Sequence, residues 1–236
     1  MRGGARDRGA HLTARGGPLL PGSRWAWLVG AAAILVAGYL AIDAARPAGP
    51  GAAGLPAGAR LAPFAVVLAR SGAVCDSADD PCDANVARSA GQGAAGSRPA
   101  CEVRGPAVLN VCELTQRGPL GLGLMATRQA PCVAAFDRLE DLRRRHRGLQ
   151  VAVVSLGGDL DDLRRIVRAR RWSFPVGWDR DGVLASLYAV VTCPYVVVAR
   201  WRGRVQATLA GAAAGAVLEH GVQRAVAASR RAGWRP

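Results

Sequence analysis

Six cysteines carry the reactive chemistry of this chain: Cys75, Cys82, Cys101, Cys112, Cys132 and Cys193. Sulfur at such positions can form disulfides, hold a metal, or exchange electrons with other thiols. Six cysteines allow fifteen pairings, so connectivity is open at this level. Cys75 and Cys82 flank the acidic loop CDSADDPC and can close it locally. Cys101 and Cys112 flank Gly105-Pro106, which reads as a hairpin turn, and these pairings leave Cys132 with Cys193. Zinc fits poorly. The chain has no C-x-x-C pair, and His11, His146 and His220 are its only histidines, a spacing unlike that of structural zinc sites. No metal and no cofactor is expected.

The elements that must position these sulfurs follow from hydrophobic pattern. AVLNVCEL (107–114) and GPLGLGLMAT (118–127) are continuous apolar runs, as in strands covered on both faces. The pattern changes at Pro131 to a helix, with Pro in its first turn and Val133, Phe136, Leu139 and Leu142 on one stripe. RRRHR (143–147) ends it, reading as a solvated helix end whose cations suit the dipole. LQVAVVSL (149–156) is a further apolar strand, and 159–172 a helix with acids in its first turn and Leu160, Leu163, Ile166 and Val167 inward. FPVGWD (174–179), a short helix over 182–190, a hairpin over 195–211 turning at Arg202-Gly203, and a closing helix over 213–228 complete the series. Val217, Leu218, Val222 and Val226 are its expected inward face. This order implies an α/β class with a mixed sheet and helices on both faces.

Upstream, the chain changes character. Residues 25–42, WAWLVGAAAILVAGYLAI, hold no charge and as a helix span about 27 Å, near the thickness of a bilayer core. Arg2, Arg6, Arg8, Arg15 and Arg24 precede them against Asp7 alone. That bias predicts a cytoplasmic N-terminus (1–24), a single transmembrane anchor (25–42) and an extracytoplasmic remainder. A cleaved signal peptide is the rival, but the apolar run exceeds a usual signal core and no clean A-x-A site follows. Residues 43–60, rich in Ala, Gly and Pro, read as a tether reaching on the order of 25 Å, so the folded part is expected from Leu61. Outside the cell, disulfides persist. The net charge is +14, and every one of the 31 basic residues is Arg, which fits codon bias. Basic residues are not interleaved with aromatics as nucleic-acid binding would want, so no nucleic-acid partner is expected.

Four segments in register resemble the redoxin/TlpA-type branch of the thioredoxin-like superfamily, over roughly residues 107–228. LGLMATRQAPC resembles the passage from strand to active-site helix, and FPVGWDRDGVLASLYAV the peptide leading to the cis-proline. TCPYVVVARWRGRV resembles the cis-proline strand, the hairpin turn and the strand after it. The resemblance implies a thioredoxin-like domain over 107–236, with 61–106 an extension of the fold. In that extension APFAVVLAR (62–70) reads as an edge strand and 84–100 as a mobile loop. It also implies that Pro194 is cis and lies beside the start of the helix carrying Cys132.

The family's attacking sulfur is the first of a Cys-x-x-Cys pair, where this chain has Gln129. Cys132 matches the second, resolving position. The ordinary dithiol mechanism is therefore absent, and so is the peroxiredoxin mechanism. The residue before the cis-proline lines the family's groove, so Cys193 can approach Cys132. A bond between them would close a loop of about sixty residues, worth roughly 4 kcal/mol in the chain-entropy model. Two functions stay open. One is a membrane-anchored, extracytoplasmic thiol–disulfide oxidoreductase using Cys132, Cys193 and Pro194 on a protein thiol or disulfide, with Arg128, Gln129 and Pro131 at the groove mouth. The other is a non-catalytic binding module of the same fold, with all its cysteines structural. Trp178 and Asp179 fit a groove, a core or a turn equally, and Tyr195 reads as a plain strand residue.

Overall fold

The structure is a computed structural model and describes residues 23–45, 54–73, 75, 82–92, 96–211 and 215–236. The chain divides into two units, Met1–Gly49 and Pro50–Pro236. In the first, helix α1 (Ser23–Ala45) coincides with the uncharged run. Its described side chains, 27–38, are all exposed, Trp27 by 80% and Ile34 by 74%. Among the described residues, no helix is long and apolar enough to cross a membrane.

The second unit is built on seven strands: β1 (Ala65–Leu68), β2 (Val108–Asn110), β3 (Leu120–Met125), β4 (Gln150–Leu156), β5 (Val176–Asp179), β6 (Tyr195–Ala199) and β7 (Val205–Ala210). They form one sheet in the order β2-β1-β5-β4-β3-β6-β7. β3, β4 and β5 run parallel, and the remaining pairs are antiparallel. Helices cover both faces. α3 (Ala130–Ala135), α4 (Asp137–Arg145), α5 (Leu160–Arg170) and α7 (Gly215–Arg231) pack on one, over Val151, Val153, Val176 and Val198. α2 (Val111–Arg117) and α6 (Val183–Leu187) pack on the other, over Leu120, Leu122, Val154 and Val197. All six residues of β3 are buried, as the unbroken apolar run required.

Several expectations change. AVLNVCEL is extended only to Asn110 and is helical from Val111. The Asn110 side chain causes the switch, accepting from the amides of Cys112 (2.9 Å) and Glu113 (3.3 Å) as a helix cap. The turn expected between Cys101 and Cys112 therefore joins a short 3-10 turn (Ala100–Glu102) to a strand and helix, with Cys112 on α2. The stretch 62–70 is not an edge, because β1 lies between β2 and β5. The loop from Ala84 starts in the core: Asn85 exchanges two backbone hydrogen bonds of 2.9 Å with Ala65, and Ala84 and Ala87 are buried. The tether is shorter than composition suggested. Gly58 donates to Val205 and Leu61 to Gly203, each at 2.9 Å, and Val205 donates to Ala59 at 2.8 Å. The segment thus lies along the outer edge of β7, which would otherwise present unpaired backbone groups. Val217 is 53% exposed, whereas Leu218, Val222 and Val226 are buried.

α4 is fastened to the loop before β5. The Trp172 indole donates to Asp137 (2.8 Å), and the buried Glu140 accepts from the Ser173 amide (3.0 Å) and hydroxyl (2.7 Å). Burial alone would raise the Glu140 pKa, but those two bonds together with Arg143 outweigh it and hold the carboxyl at about 2, against an ordinary 4.5. A carboxylate whose pKa is depressed on folding stabilises above its unfolded pKa and loses that contribution as pH falls through the folded value. Stability should therefore drop by about 3 kcal/mol between pH 4.5 and 2. In Glu140→Gln that slope should flatten in acid-titration calorimetry, with a comparable loss already present at pH 7.

Candidate functional site

The C-terminal end of β3 delivers the chain to Arg128 and Gln129, both exposed, and then to α3. Gln129 caps α3 without a side-chain hydrogen bond, and Pro131 occupies the first turn, where its missing N–H costs nothing. Cys132 follows in the same turn and is 2% exposed. The helical stretch expected from Pro131 is interrupted. α3 stops at Ala135, Phe136 continues in the right-handed helical region (φ −81°, ψ −10°) with its amide donating to Val133 (3.2 Å), and α4 starts at Asp137. Phe136 is fully buried. Its ring lies over Gly123 of β3, where an added Cβ would come within 2.5 Å of the ring's Cε1. The bare backbone of Gly123 is thus the socket that seats this turn.

On the neighbouring strand, the Cys193–Pro194 peptide bond is cis. β6 starts directly after it, and Tyr195 fastens that start. Its hydroxyl donates to the Tyr188 carbonyl (2.6 Å) and accepts from the Leu55 amide (3.2 Å). Tyr195 is more than a strand residue, since it ties the cis-proline strand to the segment after α6 and to the chain's entry into the fold. Burial pushes its phenol above the ordinary value.

Cys132 and Cys193 are joined in a disulfide, with Cα atoms 5.4 Å apart across a sequence separation of 61. Cys193 is only partly buried, so the two residues of the pair differ in exposure. Both line an open groove of about 980 Å³ together with Arg128, Pro131, Ala134 and Pro194. Among the described residues that line it there is no carboxylate.

The other cysteines also pair: Cys75 with Cys82, and Cys101 with Cys112. Cys82 is fully buried. Asn110 ties the second pair together, its Nδ2 donating to the carbonyls of Ala100 (2.7 Å) and Val103 (2.8 Å) while its oxygen caps the helix of Cys112. Among the described residues, no three metal-ligating side chains cluster.

A mixed sheet with parallel β3, β4 and β5, a cis-proline opening β6 and a cysteine in the first turn after β3 decide the architecture. The fold is thioredoxin-like. Solved structures agree. The thioredoxin domain of a thiol-disulfide oxidoreductase from Bacteroides vulgatus aligns with 73% of this chain and 99% of its own, at TM-score 0.51 and 12% identity. A candidate protein disulfide isomerase from Bacteroides thetaiotaomicron aligns with 78% and 98%, at TM-score 0.53 and 9% identity. No protein-family model and no curated protein matches the chain. Within the thioredoxin-like frame, Trp178 and Asp179 stand away from the groove. Trp178 is core, and Asp179, at the end of β5, caps α6 by accepting from the Leu184 amide (2.9 Å). Burial raises the Asp179 carboxyl well above the ordinary range, with Asp181 adding to the rise.

Proposed function

We propose that this chain is a membrane-anchored, extracytoplasmic thiol–disulfide exchange protein whose redox pair is Cys132 and Cys193. The observation that carries the reading is the location of their disulfide in the wall of an open groove beside the cis-proline. The first-cysteine position of the usual motif is Gln129, so the partner sulfur comes from the cis-proline strand instead. The more exposed residue of the pair, Cys193, defines the entry point. A substrate thiolate attacks Cys193 Sγ, a mixed disulfide forms, and the Cys193–Cys132 bond breaks with its electron pair leaving on Cys132. The positive end of α3 favours that thiolate. The substrate's second thiolate then attacks its own sulfur in the mixed disulfide and releases Cys193. The substrate loses two electrons and two protons as its disulfide closes, and the protein gains them as two thiols. The reverse sequence reduces a substrate disulfide.

Support for the anchor is the uncharged run 25–42, the arginines before it and the exposure of its described apolar side chains. Full-length chain should stay with the membrane pellet after alkaline extraction, and release into the supernatant would remove this part of the reading.

Redox titration with disulfide mapping tests the chemistry. The 132–193 pair is expected to reduce first and reversibly, at a potential within the span of roughly −120 to −270 mV covered by disulfide oxidoreductases. Resistance of that bond to every physiological reductant would instead support the non-catalytic module, in which the bond is a permanent staple.

A further inference from the structure

Asp179 does more than cap α6. It is fully buried, and its Oδ2 accepts from the Leu184 amide at 2.9 Å. Its Oδ1 is buried as well and meets no hydrogen-bond donor among the described residues. Such an oxygen is costly to enclose unless a proton accompanies it. The group beside it is a second carboxylate, Asp181, which is exposed. Burial, with Asp181 adding to it, raises Asp179 from an ordinary 3.8 to about 7. β1, β4 and α6 bring no titratable side chain to this place, and the segment after Cys82 brings Asp83, which Arg180 engages at 2.8 Å. Arg180 also donates to the Cys75 carbonyl (3.5 Å), and Asp181 accepts from the Ala84 amide at 3.5 Å. One turn, 179–182, therefore holds both ends of the loop closed by Cys75 and Cys82, and Cys82 itself is fully buried.

We infer that Asp179 and Asp181 share one proton, and that its loss to solvent unlatches this turn from the loop, so that acid shields the Cys75–Cys82 disulfide and rising pH exposes it. With the proton between them, the two carboxyl groups carry one negative charge. Without it, two like charges stand side by side, and one of them is cut off from water. Asp179 is fixed by its pairing with β4 and by the α6 amide. Asp181 is exposed and precedes Gly182, whose φ is 69°. Asp181 is thus the group that moves, and the Ala84 contact and the neighbouring Arg180 bonds go with it. Protonated Asp179 favours the closed loop. That contribution is full below its ordinary 3.8 and is lost as pH rises through about 7.

The test is amide hydrogen exchange on the oxidised full-length protein between pH 5 and 8, with rates corrected for their intrinsic pH dependence. Opening at Ala84 and Asn85 should rise about a hundredfold between pH 5 and 7 and level off above, as linkage to one proton requires. Peptides of β3 should stay level over the same range. Phosphine reduction of the 75–82 bond, relative to the free cyclised peptide CDSADDPC, should follow the same curve. In D179N, opening should be flat with pH and as low at pH 8 as in the wild type at pH 5. In D181N the side-chain amide donates to ionised Asp179, so levelling should begin about one pH unit or more lower. Because Asp181 is exposed, this variant decides the matter if D179N fails to fold. A flat wild-type profile, a slope that D179N keeps, or a levelling point that D181N leaves in place overturns the inference. Neither readout depends on exchange at Cys132 and Cys193.

Discussion

Replacing Cys132 with Ser should turn the protein into a trap: substrates accumulate as mixed disulfides on Cys193, whereas Cys193→Ser accumulates almost none. The asymmetry follows from access. Cys132, in the first turn of α3, is 2% exposed, and Cys193 is the partly exposed residue of the pair on the groove wall. In C132S the open thiol can attack a substrate disulfide, but no second thiol lies across the groove to release the adduct, so it persists. In C193S the remaining thiol is nearly closed to a protein-sized partner. We expect at least a tenfold difference in trapped species on non-reducing gels, and exchange slower than wild type by about a hundredfold or more in both variants, since each half of a two-sulfur mechanism is indispensable. Trapping by C193S but not by C132S would reverse the assignment of the two sulfurs. Equal, wild-type-like exchange in both would remove the pair from the chemistry. Thermal melts of the two variants separate a chemical loss from a folding loss, because each lacks the same cross-link.

This polarity was only partly legible in the sequence. The buried strands β3 and β4 announced themselves as unbroken apolar runs, and Pro131-Cys132 marked a helix start, because those signals are local. The Arg202-Gly203 turn was equally readable, and both residues have positive φ there (67° and 74°), the conformation a tight hairpin turn demands. What escaped was set by distant partners. The run AVLNVCEL carries apolar residues straight through a strand-to-helix switch, so hydrophobicity alone hides it. The available signal was Asn110 followed three residues later by Glu113, a helix-start pattern. β1 read as an edge because nothing in its own residues tells that β2 returns to its far side. The tether's docking on β7 runs through backbone groups, which composition does not encode. At the site, Cys193 drew notice through the proline after it and as the cysteine left over for Cys132, and the difference in exposure between the two residues needed coordinates.

Gly123 of β3 lies beneath the Phe136 ring, and its replacement is expected to lower stability and slow exchange together. Gly123→Ala places a Cβ 2.5 and 2.8 Å from two atoms of the Phe136 ring and 3.1 Å from Val153 Cγ2. All three neighbours lie in the packed core, so the ring must move or the helix break must lift. Overpacking of this kind costs about 1–3 kcal/mol, which for a body of this size lowers Tm by roughly 3–10 °C. Because Phe136 joins α3 to α4, lifting it also shifts Cys132, and disulfide exchange should slow along with the loss of stability. Phe136→Leu alone should cost about 1–2 kcal/mol through the void it leaves. Together the two changes should compensate: Leu vacates the ring edge that the new methyl group meets. We expect a favourable coupling of about 1 kcal/mol or more in a double-mutant cycle by denaturant unfolding. Strict additivity would mean that Gly123 and Phe136 do not share the contact, and that the helix break carrying the reactive cysteine is held by something other than the bare strand beneath it.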